Sequence, residues 1–466
     1  MSIAISNFEE LRFRLSGGLH EPGSAEYEDT CSLFNGAIDR RPRAVARCAA
    51  ADDVVAALAC ARAEGLPVSV RAGGHSVAGV CLVDDGLVLD VRDMADVEVD
   101  PGRRVARVGG GATWAQVDRA TQEHGLATTG GRVSTTGVAG LTMGGGSGWL
   151  ERQHGLACDN LLAAELVTAE GELVRADAAQ NPELLWALKG GGGNFGVVTA
   201  MEFRLYPIAS ELLAGFVVHP ASRRADLLRL AREVMADAPE QLGIGLLSIA
   251  AAPELEGIPE ELQGRPAVLL GGMFDGSVAE GEQALAALRS YGPPAADFFM
   301  PTTYADFQCA LDDPPGLRNW WTAEQVPALT DAAIADVDAL TARMPGEGSQ
   351  MFVVPWGGQV ARGAGHSPLA GRDAAWVVHP LLMWQDPAQD QAMAEYGRGF
   401  REAMRPHGSG QTYPNFIGQE GEDRVKAGFG AYNARRLAQV KACWDAGNAF
   451  HGNHNIQPAG DGSRAA

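Results

Sequence analysis

In "VRAGGHSVAGV", residues 70–80, one histidine follows a Gly-Gly pair and precedes Gly79, behind a short run that reads as a strand. Three roles are open to His75: a loop imidazole bonded to backbone, a metal ligand, or a covalent attachment point for a cofactor. The metal role fails on spacing, because nearby residues offer no second His, Cys or carboxylate at ligand intervals, and no metal is expected. His379 lies in "AAWVVHPLLMW", where alternation puts Trp376, Val378, Leu382 and Trp384 on one strand face and Val377, His379, Leu381 and Met383 on the other. Imidazole has the unperturbed pKa of a base that works near neutrality. A histidine on an apolar face is more often a satisfied core residue, so both roles stay open for it.

Around these histidines the chain is rich in glycine, with 59 residues. Three runs stand out: "RAGGHSVAG", "GRVSTTGVAGLTMGGGSGWL" and "KGGGGNFG". Glycine allows backbone amides to converge on phosphate oxygens and lets a ligand approach the chain closely. None of the runs ends in the Lys-Ser/Thr of a Walker loop, and none has GxGxxG spacing between a strand and a helix. One such run would be a structural turn; three within one domain imply a dinucleotide-sized ligand.

The elements that must position these runs can be read from periodicity. "RPRAVARCAAADDVVAALACARAEGLPVSVRAGG" reads as strand, helix and strand, with Asp52 and Asp53 at the N-cap, Val54, Val55, Leu58 and Ala61 at helical spacing, and Gly65 ending the helix. "VEVDPGRRVARV" and "LLAAELVTAEGELVRAD" read as hairpins. "TWAQVDRATQEHGLATTG" reads as a helix stopped by Gly125, and Asn181 as the cap of a short helix before the third glycine run. Past Ile208, helical runs such as "ASRRADLLRLAREVMADA" and "LTDAAIADVDALTARM" alternate with strands such as "GIGLLSIAAAP", "RPAVLLGGMF" and "SQMFVVPWGG". That texture predicts a second α+β domain, a sheet with helices on one face and its other face free to look onto the first domain. The tail reads as a polar loop, a short amphipathic helix and a loop. The expected division is 1–208, 209–405 and 406–466.

A net charge of -21 disfavours nucleic acid and anionic membranes as partners. The opening "MSIAISNFEELRFRL" has no apolar core behind a basic end, and no later run approaches a membrane span, so a cytoplasmic location is expected. Cysteines 31, 48, 60, 81, 158, 309 and 443 are odd in number and never spaced as CxxC, which predicts neither a disulfide framework nor a zinc site.

The run Arg71, Ala72, Gly73, Gly74, His75, Ser76, Gly79 resembles the flavin-attachment loop of FAD-linked oxidases of the vanillyl-alcohol oxidase type, in particular the berberine-bridge-enzyme-like family. The likeness continues through "GVAGLTMGGGSGWLERQHGLACDNL", "LLWALKGGGGNFGVVTAMEFRLYP", "YPNF", "NARRLAQVK" and "GNAF". It implies a two-domain α+β fold: a PCMH-type FAD-binding domain, a C-terminal antiparallel-sheet substrate domain covered by helices on one face, and a tail that returns to the FAD domain. It implies FAD attached through His75, and a second cofactor loop of Val133, Ser134, Thr135, Thr136, Gly137, Gly140, Gly144, Gly145, Gly146, Gly148 and Trp149. Gly196, Val197 and Val198 would complete the FAD site, with Tyr413 and Asn415 of "YPNF" at the flavin's pyrimidine side.

Where doubly linked relatives carry a cysteine, this chain has Val133, so a single histidyl linkage is expected. Thr136 falls at the family's oxygen-gating position and favours an oxidase. Tyr413 is the first candidate for acid/base work, needing a depressed phenol pKa to act as a base. His379 is the second, because the family places a functional polar side chain five residues before the strand's tryptophan. His154, in "ERQHGL", is a further candidate at the site's border, and Trp320 or Trp321 a candidate wall of an aromatic pocket. The function implied is an oxidase acting on a small organic molecule, a secondary metabolite by preference, with dioxygen as partner and hydrogen peroxide as product. The alternatives are an oxidative cyclase or monooxygenase, a sugar or alcohol oxidase, and an inactive flavin- or metabolite-binding protein.

Overall fold

The computed structural model describes residues 7–254 and 256–460, so the first six residues of the opening stretch lie outside it. The first sheet has the strand order Leu19–His20, Ala44–Arg47, Leu87–Asp90, Val68–Arg71, and its last three strands are parallel. The crossover between Ala44–Arg47 and Val68–Arg71 is the helix Ala51–Glu64. The acidic residues at its start act differently from the sequence expectation. Ala50 occupies the N-cap, and the carboxylate of Asp53, inside the first turn, reaches back to accept from the amides of Ala49 at 2.8 Å and Ala50 at 3.2 Å. Gly65 closes the helix in the left-handed region at φ 65°. The glycine loop bearing His75 thus leaves the C-terminal end of a parallel strand, where open α/β sheets place ligands.

A second, antiparallel sheet follows the order Val97–Asp100, Val105–Gly109, Val197–Arg204, Leu161–Val167, Leu173–Asp177. Both predicted hairpins are in it. Asn181 does stand before helix Pro182–Leu188, but its side chain donates to the carbonyl of Arg175 at 2.7 Å instead of capping an amide.

The third sheet is antiparallel and built on Leu212–Pro220, Ala267–Phe274, Leu242–Ile249, Gln350–Pro355, Trp376–Trp384 and Arg318–Trp321, in that order. One face is covered by the helices Arg224–Ala236, Val278–Ser290, Asp331–Ala342 and Asp390–Met404, whose Leu227, Leu285, Ile334 and Phe400 share a core with Leu246, Val353 and Val378 of the strands. Alternation turns Leu247, Phe352 and His379 the other way, onto the first domain. Register makes these three cross-strand neighbours, Leu247 opposite Phe352 and Phe352 opposite His379.

The tail helix is longer than expected: Glu422–Trp444, kinked at Gly430. Its Val425, Phe429, Leu437 and Val440 join the core of the glycine-loop half, and buried Lys441 donates to the carbonyls of Asn194 at 2.7 Å and Phe450 at 3.0 Å. All seven cysteines are free thiols. No helix among the described residues is long and apolar enough to cross a membrane.

Candidate active site

A cavity of about 370 Å³ lies between the glycine loops and the exposed face of the third sheet. Its lower wall is the three loops. The first two meet backbone to backbone: a Cβ on Gly73 would lie 2.2 Å from the amide nitrogen of Gly137, and one on Gly137 would lie 2.5 Å from that of Gly73. A side chain at either position would force the loops apart. Gly140 has nothing within 4 Å of its Cβ position and opens onto the cavity. The amides of Gly74, His75, Ser76, Thr135 and Gly137 make no hydrogen bond to other described residues, which leaves a concave set of donors beside apolar Val68, Val70, Val91 and Val197.

His75 is half-buried in this wall. Its ring stacks on Phe34 with centroids 4.6 Å apart, and Nε2 lies 3.0 Å from the Thr135 hydroxyl. Burial, followed by the Arg71 guanidinium, pushes its pKa down to about 4, so the imidazole is neutral and keeps a nucleophilic lone pair at neutral pH. Arg71 itself lies beneath the loop, donating to the carbonyls of Thr30 and Ser32.

The upper wall is made of side chains from the third sheet. His379 is 1% exposed; its Nδ1 lies 2.7 Å from the Thr322 carbonyl, so Nδ1 carries the proton and Nε2 is the bare acceptor. Nε2 has no hydrogen-bond partner, and His379 lines the cavity. Burial pushes its pKa down to about 4. Phe416 stacks on the ring at 4.2 Å, and Trp321 meets it edge-on at 5.3 Å. Since Trp321 also contacts Phe34 at 5.8 Å, a chain of rings joins His75 to His379: Phe34 and Trp321 bridge the two histidines.

The sequence-predicted residues divide into two groups. Ala72, Gly73, Gly74, His75, Ser76, Val133, Thr136, Gly137, Gly140, Gly144, Gly196, Val197, Val198, His379 and Asn415 all line the cavity. Thr135 reaches it through His75. Arg71, Gly79, Ser134, Gly145, Gly146, Gly148, Trp149 and Tyr413 lie outside the lining, for identifiable reasons. Ser134 is held by Asp312, whose carboxylate accepts from its amide and hydroxyl, each at 2.6 Å. Trp149 packs on Phe307 at 4.9 Å with the Arg132 guanidinium over its ring.

Tyr413 departs furthest from what a base requires. Its hydroxyl accepts from the amides of Gly146 at 2.5 Å and Ser147 at 3.0 Å, and burial raises its pKa instead of depressing it. A buried phenol engaged with backbone donors is a positioning group beneath the second loop. His154 stacks on Tyr206 at 3.8 Å, also off the cavity. Of the tryptophan pair, Trp321 lines the cavity and Trp320 packs over Gly397.

Sequence reasoning missed Phe34, Asp313, Gln350, Phe352 and His454, which line the cavity together with Gly190 to Gly193 of the third glycine run. The four glycines were visible as a run. Gln350 and Phe352 become visible only through the register that sets them beside Leu381 and His379.

A family model described as "FAD binding domain" matches residues 42–177, and one described as "Berberine and berberine like" matches residues 412–457. The chain carries the FAD-binding and berberine-like domains found in berberine-bridge-enzyme-like FAD-linked oxidoreductases. It is similar to (R)-6-hydroxynicotine oxidase of Paenarthrobacter nicotinovorans, 29% identical over 96% of this chain and 98% of the relative. Half of the chain is 30% identical to 49% of a xylooligosaccharide oxidase of Thermothelomyces thermophilus. Among solved structures, 6-hydroxy-D-nicotine oxidase of Arthrobacter nicotinovorans superposes with a TM-score of 0.85 at 27% identity, over 96% of this chain and 98% of that one. With these domains and relatives it is an FAD-dependent oxidoreductase, and the cavity fits that cofactor. Converging free amides suit a diphosphate, the glycine surfaces admit flat rings, and a neutral histidine stands within the same wall.

Proposed function

We propose that the chain is an oxidase that takes hydride from a small organic donor, by preference a secondary metabolite, and delivers the electrons to dioxygen. FAD held in the glycine cradle and bonded once, through His75, supplies the two-electron acceptor. The donor loses two electrons and two protons, and dioxygen leaves as hydrogen peroxide.

The observation that carries this reading is His379, which lines the cavity that the cofactor loops also line and whose buried Nε2 has no hydrogen-bond partner. The Thr322 carbonyl fixes the tautomer, so Nε2 is already the acceptor when a donor arrives. Phe416 and Trp321 hold the ring and exclude water from it. A pKa of about 4 keeps His379 neutral, and a donor's own hydroxyl or N–H supplies the hydrogen bond that this nitrogen lacks. A single linkage is supported by Val133 in the cavity wall and by the state of Cys81, the one cysteine among the lining residues, whose thiol is pushed up by burial and stays protonated. Thr136 on the wall, at the position where the family gates oxygen, supports dioxygen as the oxidant.

The test joins mass and stoichiometry. Intact mass should rise by one FAD and lose that increment in His75→Ala, while turnover should release one peroxide per donor oxidised. Incorporation of oxygen atoms from labelled dioxygen into the product, with no peroxide, would instead establish the monooxygenase alternative.

A further inference from the structure

The cavity contains one formal charge that nothing neutralises. Asp313, on the loop between the short helix Tyr304–Phe307 and Arg318–Trp321, lines it half-buried and makes no salt bridge among the described residues. Its one side-chain partner is the amide of Gln350, which donates to Oδ1 at 3.1 Å. Neighbouring Asp312 is already engaged with Ser134. The only other lining residue with a permanent charge, Arg132, is balanced by Glu151 at 2.7 Å. The remaining surface is mostly apolar, its polar side chains such as Ser76, Thr136 and Asn415 carry no charge, and His379 is neutral.

A carboxylate drawn out of water with a single amide for company is destabilised, and a ligand cation would restore what it has lost. Burial, with Asp312 adding like-charge repulsion, raises the Asp313 pKa in the same sense. Geometry supplies a second, independent constraint. Gln350 stands two residues from Phe352 on one strand, and Phe352 is paired with His379, so the Asp313–Gln350 pair and the proton acceptor are separated by about one strand repeat, ~7 Å. Leu381, Trp321 and Phe352 furnish the apolar wall along that interval. A net charge of -21 would also draw cations toward the molecule.

We infer that the donor is a cationic amine with an aromatic or aliphatic body, its ammonium held by Asp313 and Gln350 while a different carbon is presented near His379. The inference rests on the oxidase reading only for the words donor and acceptor; the charge preference is a property of the cavity. Asp313 is the specificity-determining residue, and it excludes anionic substrates by repulsion.

The test is anaerobic calorimetry on FAD-loaded protein with 2-phenylethylamine, 2-phenylethanol and phenylacetate, a cation, a neutral molecule and an anion of one shape. The amine should bind tightest and phenylacetate not at all. Asp313→Asn should weaken the amine by about 10- to 100-fold, the worth of a charge-assisted hydrogen bond, while leaving 2-phenylethanol unchanged. Equal affinity for amine and alcohol in the wild type would overturn the inference, as would failure of all three to bind at millimolar concentration. So would equal losses for amine and alcohol in the variant, the result expected of a hydroxyl-binding or sugar-binding site. Since no turnover is needed, a protein that prefers the cation yet never releases peroxide sinks the oxidase reading and leaves this one standing.

Discussion

The two walls of the cavity are built on opposite principles. The lower wall is backbone: three glycine loops whose amides and bare Cα positions are the surface, with His75 as its one reactive side chain. The upper wall is mostly apolar side chains from separate strands of one sheet, with the unpartnered Nε2 of His379 among them. Backbone can bind a cofactor tightly only where side chains are missing, so that wall is intolerant of any added atom. A side-chain wall can change its residues and its substrate while the sheet beneath is kept.

The contrast is broken most severely at Gly73. A Cβ there would sit 2.2 Å from the Gly137 amide nitrogen, with backbone rather than a flexible side chain in the way. Gly73→Val should therefore purify with little or no flavin by visible absorbance. Full flavin content in that variant would mean that the two loops do not need to touch.

On the upper wall, loss of the acceptor should cost chemistry and spare the cofactor. His379→Gln is expected to lower kcat by about 10²- to 10⁴-fold with unchanged flavin content. A loss confined to KM would make His379 a binding residue only.

The same histidine sharpens the comparison through pH. Its folded pKa lies at about 4, below the unfolded value near 6.5, so the unfolded chain binds the extra proton first as pH falls. The stability tied to neutral His379 is complete above the unfolded pKa and is lost as pH falls toward the folded one, on the order of 3 kcal/mol for a shift of this size. The wild-type melting temperature should fall between those limits more steeply than that of His379→Gln. Parallel curves would mean that His379 is wetter than its 1% exposure indicates.

The two walls also differ in how far the sequence discloses them. Glycine runs are local, so the lower wall could be read from "RAGGHSVAG" and "GRVSTTGVAG" without knowing what the loops meet. The helix-covered sheet was likewise readable from its periodicity. The upper wall depends on register. Gln350 and Phe352 look like any strand residues until Phe352 is set opposite His379, and Asp313 looks like a loop carboxylate until Gln350 turns toward it. Tyr413 was only partly legible for a related reason. Its place in the chain was right, but the direction of its hydroxyl depends on the turn at Gly145 and Gly146, which carry φ of 121° and 91° and aim the following amides at it.

That last point gives the smallest effect and the finest test, because Tyr413 sits where the two walls could be confused. As a member of the lower wall it accepts two amide hydrogen bonds and touches no donor. Tyr413→Phe would keep the ring against Trp356 and Phe416 but leave the Gly146 and Ser147 amides buried without an acceptor. The cost should appear as stability, about 1–3 kcal/mol by denaturant titration, since donors left buried and unpaired bear their desolvation penalty in full. Turnover should fall only a few-fold, following any loosening of the second loop. A general base behaves otherwise: its removal leaves stability nearly untouched and takes kcat down by about 10²-fold or more. Because the two assignments move different observables, stability and kcat measured on this one variant decide which wall the tyrosine belongs to.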